Sequence, residues 1–453
     1  MKVMIKWMPP MRCRVFHWTA LALAVAALLG CGGGGAGGSS AASAPAPAPP
    51  VGEKPFILDT VRRNYLFPEA LPAQVDLNAY ATPGDLLEAL VHTARQEGKD
   101  HWSAVARRDT AQGPQTRFQD RPGIDEGFGF RHAFQGGKVF VTDVLPGSGA
   151  AGAGLRRGDE ILGTGPTPEM SIPPAGIQNP AAFLYRFGKE TAWGAQPEGG
   201  AARYFRIRRA SGETVDLRIA QRAFNAPPVE QSDVLHRDPG RIVGYLRLRQ
   251  FNPAARQALF EAFARFKREG VTDLVLDLRY NPGGDGGTLD LVLDLLRARP
   301  HPDETMYRLL GAGGRLLERH AFSERPESIR PRRIAVIVTG ESSSSSEALA
   351  NVLAPYYHRN LALVGARTGG KPVGMLTFPI PGSPLALKLV TARIVNMEGM
   401  GDYYQGLPYA HFQGATCAAE DDPAHAPGDP AEASTRSALE WILHGTVPHG
   451  PIR

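Results

Sequence analysis

Ile334-Ala335-Val336-Ile337-Val338, then Thr339-Gly340-Glu341, then five serines from Ser342 to Ser346, then Glu347-Ala348-Leu349-Ala350-Asn351-Val352-Leu353 form one uninterrupted stretch. The first five residues are apolar and mostly β-branched, which predicts a buried strand, and the last seven favour a helix. The polar turn between them sets a serine at a helix amino end. Unpaired backbone N–H groups and the positive end of the helix dipole can receive an oxyanion there. The same position suits a serine that only caps the helix, so the cluster needs support from elsewhere in the chain.

Downstream, the apolar run Leu361-Ala362-Leu363-Val364-Gly365 leads into Ala366-Arg367-Thr368-Gly369-Gly370-Lys371-Pro372. Parallel strands of one layer end on the same edge, so Lys371 is expected to return near the serine turn. A lysine accepts a serine proton only when it is itself neutral, which requires burial and loss of hydration. A plain surface lysine is the alternative at this point. Upstream, a buried-type strand from Val271 to Leu278 ends in Arg279 and the turn Tyr280-Asn281-Pro282-Gly283-Gly284. Ile242 to Phe251 is β-prone, while Ala254 to Lys267 and Leu289 to Leu296 have helical spacing. Such alternation predicts an α/β layer architecture.

Working toward the amino end, Gly127-Phe128-Gly129-Phe130, Val139-Phe140-Val141 and Gly154-Leu155-Arg156-Arg157-Gly158-Asp159-Glu160-Ile161-Leu162 predict short strands joined by glycine turns. Gly127 and Gly129 let the backbone turn and expose N–H donors, and Phe128 and Phe130 can wall an apolar pocket. A tight hairpin with core phenylalanines is the plainer reading. Residues around 164 to 180 are Pro-rich, as in an insertion. Before this region, Phe56, Val61 and Tyr65, then Leu86, Leu87, Leu90 and Val91, recur at helical spacing, giving a small helical region over residues 54–114.

The first thirty residues stand apart. Lys2, Lys6, Arg12 and Arg14 precede an apolar run from Val15 to Leu29, and the run closes Leu28-Leu29-Gly30-Cys31. This is the pattern of an export signal. The ending resembles the bacterial lipobox, which implies lipidation of Cys31 and a chain held to a cell-envelope membrane, facing the periplasm. Residues 31–53, nearly all Gly, Ala, Ser and Pro up to residue 52, would serve as a tether. The 453-residue chain carries a formal charge of +5, and losing residues 1–30, with four cations and no acids, leaves +1. The basic balance thus belongs largely to the signal, and no basic stripe with interleaved aromatics calls for nucleic acid. An apolar fraction of 43% with 21% charged residues is that of globular material. Of three cysteines, Cys13 leaves with the signal and Cys31 would be acylated, so Cys417 has no partner for a disulfide.

The region from Gly127 to about Arg222 resembles a PDZ domain, which implies that the Gly127–Phe130 turn receives a peptide's terminal carboxylate while the adjacent strand pairs with the peptide. The turns of the carboxyl half resemble those of the carboxyl-terminal-processing, or tail-specific, serine peptidases. Members of that family carry a Ser-Ala-Ser-Glu turn, a Phe-Gly-Lys-Gly turn and an Arg-x-Asn-x-Gly-Gly turn. Here Ser344-Ser345-Ser346-Glu347, Gly369-Gly370-Lys371-Pro372 and Arg279-Tyr280-Asn281-Pro282-Gly283-Gly284 stand at those places. The resemblance implies a crotonase/Clp-protease-like β/α core over residues 226–453, with a PDZ-like domain at 115–225 before it. It also implies Ser344 as nucleophile, in the register that Glu347 fixes, and Lys371 as general base. Gly283 or Gly284, with the N–H of Ser345, would form the oxyanion hole. Ser346 is the second choice of nucleophile. Protein C-terminal tails are the implied substrates, with no cofactor and no metal. One departure from the family matters most: Met375 stands where many members have a glutamine that orients the lysine, and a thioether cannot replace an amide there.

Other classes fit less well. Gly365 to Lys371 nearly forms a phosphate-binding loop, but Pro372 replaces the hydroxyl residue that would hold magnesium. The histidines show no zinc-site spacing. His101, in Asp100-His101-Trp102-Ser103, could serve as a base but reads first as a surface or capping residue. The main rival is an inactive PDZ-bearing scaffold that binds tails without cutting them, which Met375 makes plausible.

Overall fold

The computed structural model describes residues 52–107, 125–165, 167–168, 202–297, 304–445 and 450–452. All of them belong to one unit, Pro49–Arg453. The export signal, Cys31, nearly all of the tether and most of the Pro-rich stretch lie outside the described residues. An amino-terminal layer comprises α1 (Glu53–Asn64), α2 (Pro83–Gln96) and β1 (Ala104–Arg107). A β-rich region follows with β2 (Asp125–Gly127), β3 (Phe130–Gln135), β4 (Lys138–Val144), β5 (Glu160–Gly165), β6 (Ala202–Arg208), β7 (Thr214–Ala220) and β8 (Arg222–Phe224). Then come β9 (Val229–Asp238), β10 (Arg241–Leu248), α3 (Arg256–Arg268), β11 (Asp273–Asp277) and α4 (Gly286–Leu296). Next are β12 (Thr305–Leu310), β13 (Leu316–Ala321), β14 (Ile334–Val338), α5 (Ser345–Tyr357) and β15 (Leu361–Gly365). The chain continues with β16 (Val373–Pro379), β17 (Leu385–Asn396), β18 (Ala415–Ala418) and α6 (Ala433–His444).

Six strands in the order β18-β15-β14-β11-β10-β9 form the main sheet. β10, β11, β14, β15 and β18 run parallel, and β9 closes the edge antiparallel to β10. Side chains alternate between its two faces because the strand period is two. Leu274, Leu276, Ile334, Val336, Leu361 and Leu363 enter the core shared with α3, α4 and α5. Val275, Ala335, Ile337, Ala362 and Val364 face the opposite way, toward Trp441 and Ile442 of α6 and the buried Cys417. Both faces are thus covered, and the turns after β11, β14 and β15 gather on one edge.

The second sheet, β1-β17-β12-β13 with β16 also on β17, is antiparallel. The amino-terminal layer packs on it. α2 starts at a capping box in which Thr82 and Asp85 bond each other's backbone N–H. From there its Leu86, Leu87, Leu90 and Val91 meet Ile57 and Val61 of α1 and Val373, Leu389 and Val390 of the sheet. The five-stranded sheet β3-β4-β5-β6-β7 has its own core of Val139, Val141, Ile161, Phe205, Ile207 and Ile219. β3 is its edge strand, with β4 its neighbour on one side.

A buried charge cluster ties these parts together. Arg279 lies 2.9 Å from Asp277, 2.7 Å from Asp421 and 2.9 Å from Glu432. Asp421 also meets Arg157 of the β-rich region at 2.7 Å and accepts from the Tyr280 hydroxyl. Burial alone would raise the Asp421 and Glu432 carboxyls, but the Arg279 guanidinium overcomes it and holds both below the usual carboxylate range. These two groups therefore stabilise the fold above their unfolded pKa near ~4, and that contribution is lost as pH falls through their lower folded values. Arg279→Ala leaves the carboxylates buried without their cation. The expected loss is about 3–5 kcal/mol, read as a lower urea midpoint.

Candidate active site

Three turns meet at the edge of the main sheet. The turn after β14 begins with Thr339, whose Oγ1 accepts from Tyr280 N–H at 3.1 Å, and ends at Ser344, the residue before α5. Four of the five serines are committed to this packing. Ser342 donates its hydroxyl to Leu278 C=O at 2.7 Å, Ser343 to Pro282 C=O at 3.0 Å, Ser345 to Gly284 C=O and Ser346 to Asn281 C=O, both at 2.9 Å. Ser344 donates to none of these carbonyls. Its backbone is also unlike the others, with φ 55° and ψ −117°. A side chain with a Cβ is strained there, and such strain persists only where surrounding contacts enforce it.

Glu347 supplies that enforcement. Its Oε2 accepts the N–H of Ser344 at 2.9 Å and the N–H of Lys371 at 2.7 Å. Its Oε1 accepts the N–H of Gly370 at 2.7 Å and the hydroxyl of Thr368. One buried carboxylate thus joins the serine turn to the lysine turn. Burial raises the Glu347 carboxyl above its ordinary range, against the pull of the four donors, which favour the ionised form. The lysine turn is pinned further by Gly369 N–H on Ser342 C=O at 2.9 Å and by Leu407 N–H on Thr368 Oγ1 at 2.7 Å. Gly370, at φ 81°, passes so close to Tyr404 that a Cβ would lie 2.3 Å from its carbonyl oxygen. No side chain fits there.

The third turn is organised by Asn281. Its Nδ2 donates to Leu248 C=O at 2.8 Å and its Oδ1 accepts Gly283 N–H at 2.9 Å. Gly283, at φ 97°, lies against the serines: a Cβ on it would stand 2.7 Å from both Ser344 Cβ and Ser345 N. Its carbonyl accepts Phe251 N–H at 2.9 Å. Across a trans peptide the Gly284 N–H points opposite to that carbonyl, away from Phe251. Ser345 is the first residue of α5, so its N–H has no partner within the helix.

Over the lysine turn lies the loop that joins α2 to β1. The indole of Trp102 has Lys371 Nζ 5.9 Å from its ring centroid, while His101 is exposed to solvent. Met375 is half-buried in the apolar cluster of the amino-terminal layer, with Trp102, Tyr404 and Val390. In the β-rich region, Phe128 and Phe130 both pack edge-on against Phe205, at 5.3 and 5.5 Å between ring centroids. Gly127 ends β2 opposite Arg222, and Gly129 carries φ 79°. Thr368, Asn281 and Trp102 received no role from the sequence, although Asn281 stands in the Arg-x-Asn-x-Gly-Gly turn and Trp102 in the Asp100–Ser103 cluster.

Residues 242–406 match peptidase family S41, and residues 52–104 match the S41 amino-terminal domain. Over both stretches the chain is similar to the S41 peptidases. A carboxyl-terminal-processing protease of Picosynechococcus is 27% identical over 238 residues, 52% of this chain and 51% of that protein. One from Synechocystis is 32% identical over 133 residues, 29% of each. The aligned part thus spans at most about half the length of these relatives. A crystal structure described as an S41 protease of Bacteroides fragilis superposes with a TM-score of 0.63 at 21% identity, over 89% of this chain and 99% of that one. The photosystem II D1 C-terminal processing protease gives 0.52 at 20% identity, over 86% and 98%. Both share the fold of this chain, an α/β protease core of the Clp type.

Proposed function

We propose that this chain is a serine endopeptidase that cuts proteins near exposed carboxyl-terminal tails through a Ser344/Lys371 acyl-enzyme mechanism. The observation that carries the reading is the Glu347 carboxylate shared by the N–H groups of Ser344 and Lys371, beside a serine held at φ 55° with its hydroxyl proton uncommitted to the neighbouring carbonyls. Neutral Lys371 takes the Ser344 proton as Oγ attacks the scissile carbonyl. The oxyanion is received by the N–H of Ser345 and, since Gly283 N–H is given to Asn281, by that of Gly284. The protonated lysine then passes its proton to the leaving amine, and water releases the acyl group.

The tail would bind along the β-rich region. β3 is an edge strand, and five consecutive residues, His132 to Gly136, line a cavity of about 530 Å³. Thr339, Gly340 and Glu341, the start of the serine turn, line the same cavity. A run of consecutive residues borders a cavity with the strand's edge rather than one face, which is the geometry for strand addition. Gly127 to Phe130 would receive the terminal carboxylate. The leader would direct export, and after its removal a lipidated Cys31 would hold the enzyme in the cell envelope.

Peptides ending in a free or an amidated carboxyl group test the reading. Full-length enzyme is expected to lose at least about tenfold in kcat/KM on amidation, because carboxylate capture by backbone N–H groups is removed. Lys371→Ala is expected to cost at least about 10³-fold in kcat for the free peptide, as removal of a general base does. Binding of both tails without cleavage by the wild type would favour the scaffold reading.

A further inference from the structure

We infer that Trp102 is a positioning residue for Lys371, walling its amine from water and fixing its direction. The inference rests on the Ser344/Lys371 reading and deepens it. Lys371 has its backbone N–H fixed on Glu347, and its side chain carries four rotatable bonds, so the surfaces around the amine decide where it points. Met375, two residues into the following strand, offers a thioether and no amide, and it is packed in the same apolar cluster as Trp102. The indole lies over Nζ at 5.9 Å.

Trp102 is not carried on a loose loop. Asp100, fully buried, accepts the N–H of Trp102 at 3.0 Å and of Ser103 at 2.9 Å on one oxygen, and the Tyr65 hydroxyl at 2.8 Å on the other. Ser103 Oγ in turn accepts Val390 N–H at 3.0 Å, which fastens the segment to the central strand β17. The ring is therefore delivered by the amino-terminal layer and held against both α1 and the second sheet. This gives that layer, whose sequence pattern had no readable function, a part in the chemistry.

The ring acts on the lysine in two opposing ways. Its π-face attracts an ammonium, an effect that fades by about 6 Å from the centroid. Its bulk shields the half-buried lysine from water, which disfavours the ammonium. At 5.9 Å the attraction is near its limit, which leaves shielding from water as the effect assigned to the ring. The net effect favours the neutral amine that a base requires.

The test is kcat and KM for the free tail peptide, with the rate of Ser344 labelling by a fluorophosphonate probe, followed from about pH 5.5 to 10. Trp102→Ala is expected to move the acid limb of both profiles to higher pH by about one unit or more, and so to lower kcat near neutrality about tenfold while KM stays within about twofold. Trp102→Phe and Trp102→Leu, which keep an apolar wall, are expected to leave the limb near its wild-type place. Should Trp102→Ala fail to fold, Trp102→Gln carries the same expectation, because its amide admits water and favours the ammonium. A limb that stays in place, or moves to lower pH, in the folded Ala or Gln variant overturns the inference. Lys371→Ala separates the two levels. If it abolishes the limb while the Trp102 variants do not move it, only the part given to Trp102 fails; if it leaves the limb intact, the dyad itself fails.

Discussion

Ser344→Ala is expected to lower kcat for tail-peptide cleavage by at least about 10⁴-fold, with substrate affinity and stability near wild type. Loss of the serine nucleophile in a well-developed active site costs about 10⁶-fold in kcat, and what remains comes from the oxyanion hole and binding alone. The neighbouring serines predict the opposite pattern. Ser346 is fully buried and its hydroxyl holds Asn281 C=O, while Ser345 holds Gly284 C=O. Replacing either by alanine strips a buried carbonyl of its donor, at about 1–3 kcal/mol of stability. Ser346→Ala should thus show a lowered urea midpoint and keep catalysis within about tenfold, because its hydroxyl serves the Asn281 turn and touches no reacting atom. The paired measurement of kcat and unfolding for the two variants decides between them. A Ser346→Ala enzyme that is fully stable yet as inactive as Ser344→Ala would move the nucleophile by two residues.

The same contrast explains what could be read from the sequence. Strands β14 and β15 were legible to the residue because both faces of a parallel sheet are covered, so Ile334–Val338 and Leu361–Gly365 are continuous apolar runs bounded by polar turns. The β-prone run from Ile242 to Phe251 ends instead at Leu248, since Phe251 leaves the sheet to pair with Gly284 and Asn252 caps the next turn. The second sheet was not legible. Its central strand β17 is contacted by β1, β12 and β16, so most of Leu385–Asn396 is buried without alternation, and its partners are separated from it by up to about 280 residues. No local pattern announces such pairing.

At the site, spacing could place Glu347 three residues after Ser344 but could not say what the carboxylate does. Its role comes from Gly370 and Lys371, which reach it across 23 and 24 residues. Thr368 was invisible for the same reason: a threonine before two glycines reads as turn material until the fold points its hydroxyl at Glu347. The phenylalanines of Gly127–Phe130 could be read as pocket or as core, and both rings rest on Phe205, a contact that depends on a strand more than seventy residues away.

Glu347 is accordingly the position outside the proposed Ser344/Lys371 dyad where substitution should cost most. Glu347→Gln keeps the shape but replaces one acceptor oxygen by an NH₂ group. Whichever way the amide turns, two of the four donors lose their acceptor and face another donor. If the NH₂ takes the Oε2 position, the N–H groups of Ser344 and Lys371 are both orphaned; at Oε1 it is Gly370 N–H and the Thr368 hydroxyl. Each buried unsatisfied donor costs about 1–3 kcal/mol, so the two turns should relax apart rather than bear both. A displacement of about 1 Å in a reacting group can cost about 10²-fold in rate, and here nucleophile and base would shift relative to each other. The expected result is a kcat lower by at least about 10²-fold in Glu347→Gln and more in Glu347→Ala, with KM changed little because the edge at β3 proposed to bind the tail is untouched. Strain makes a second reading of the same variants. Ser344 holds φ 55° only while its N–H is fixed, so the fluorophosphonate reaction of Ser344 should slow in step with kcat. Glu347→Gln labelling at the wild-type rate while peptide turnover collapses would place the role of Glu347 in substrate handling instead of in holding the serine and lysine together.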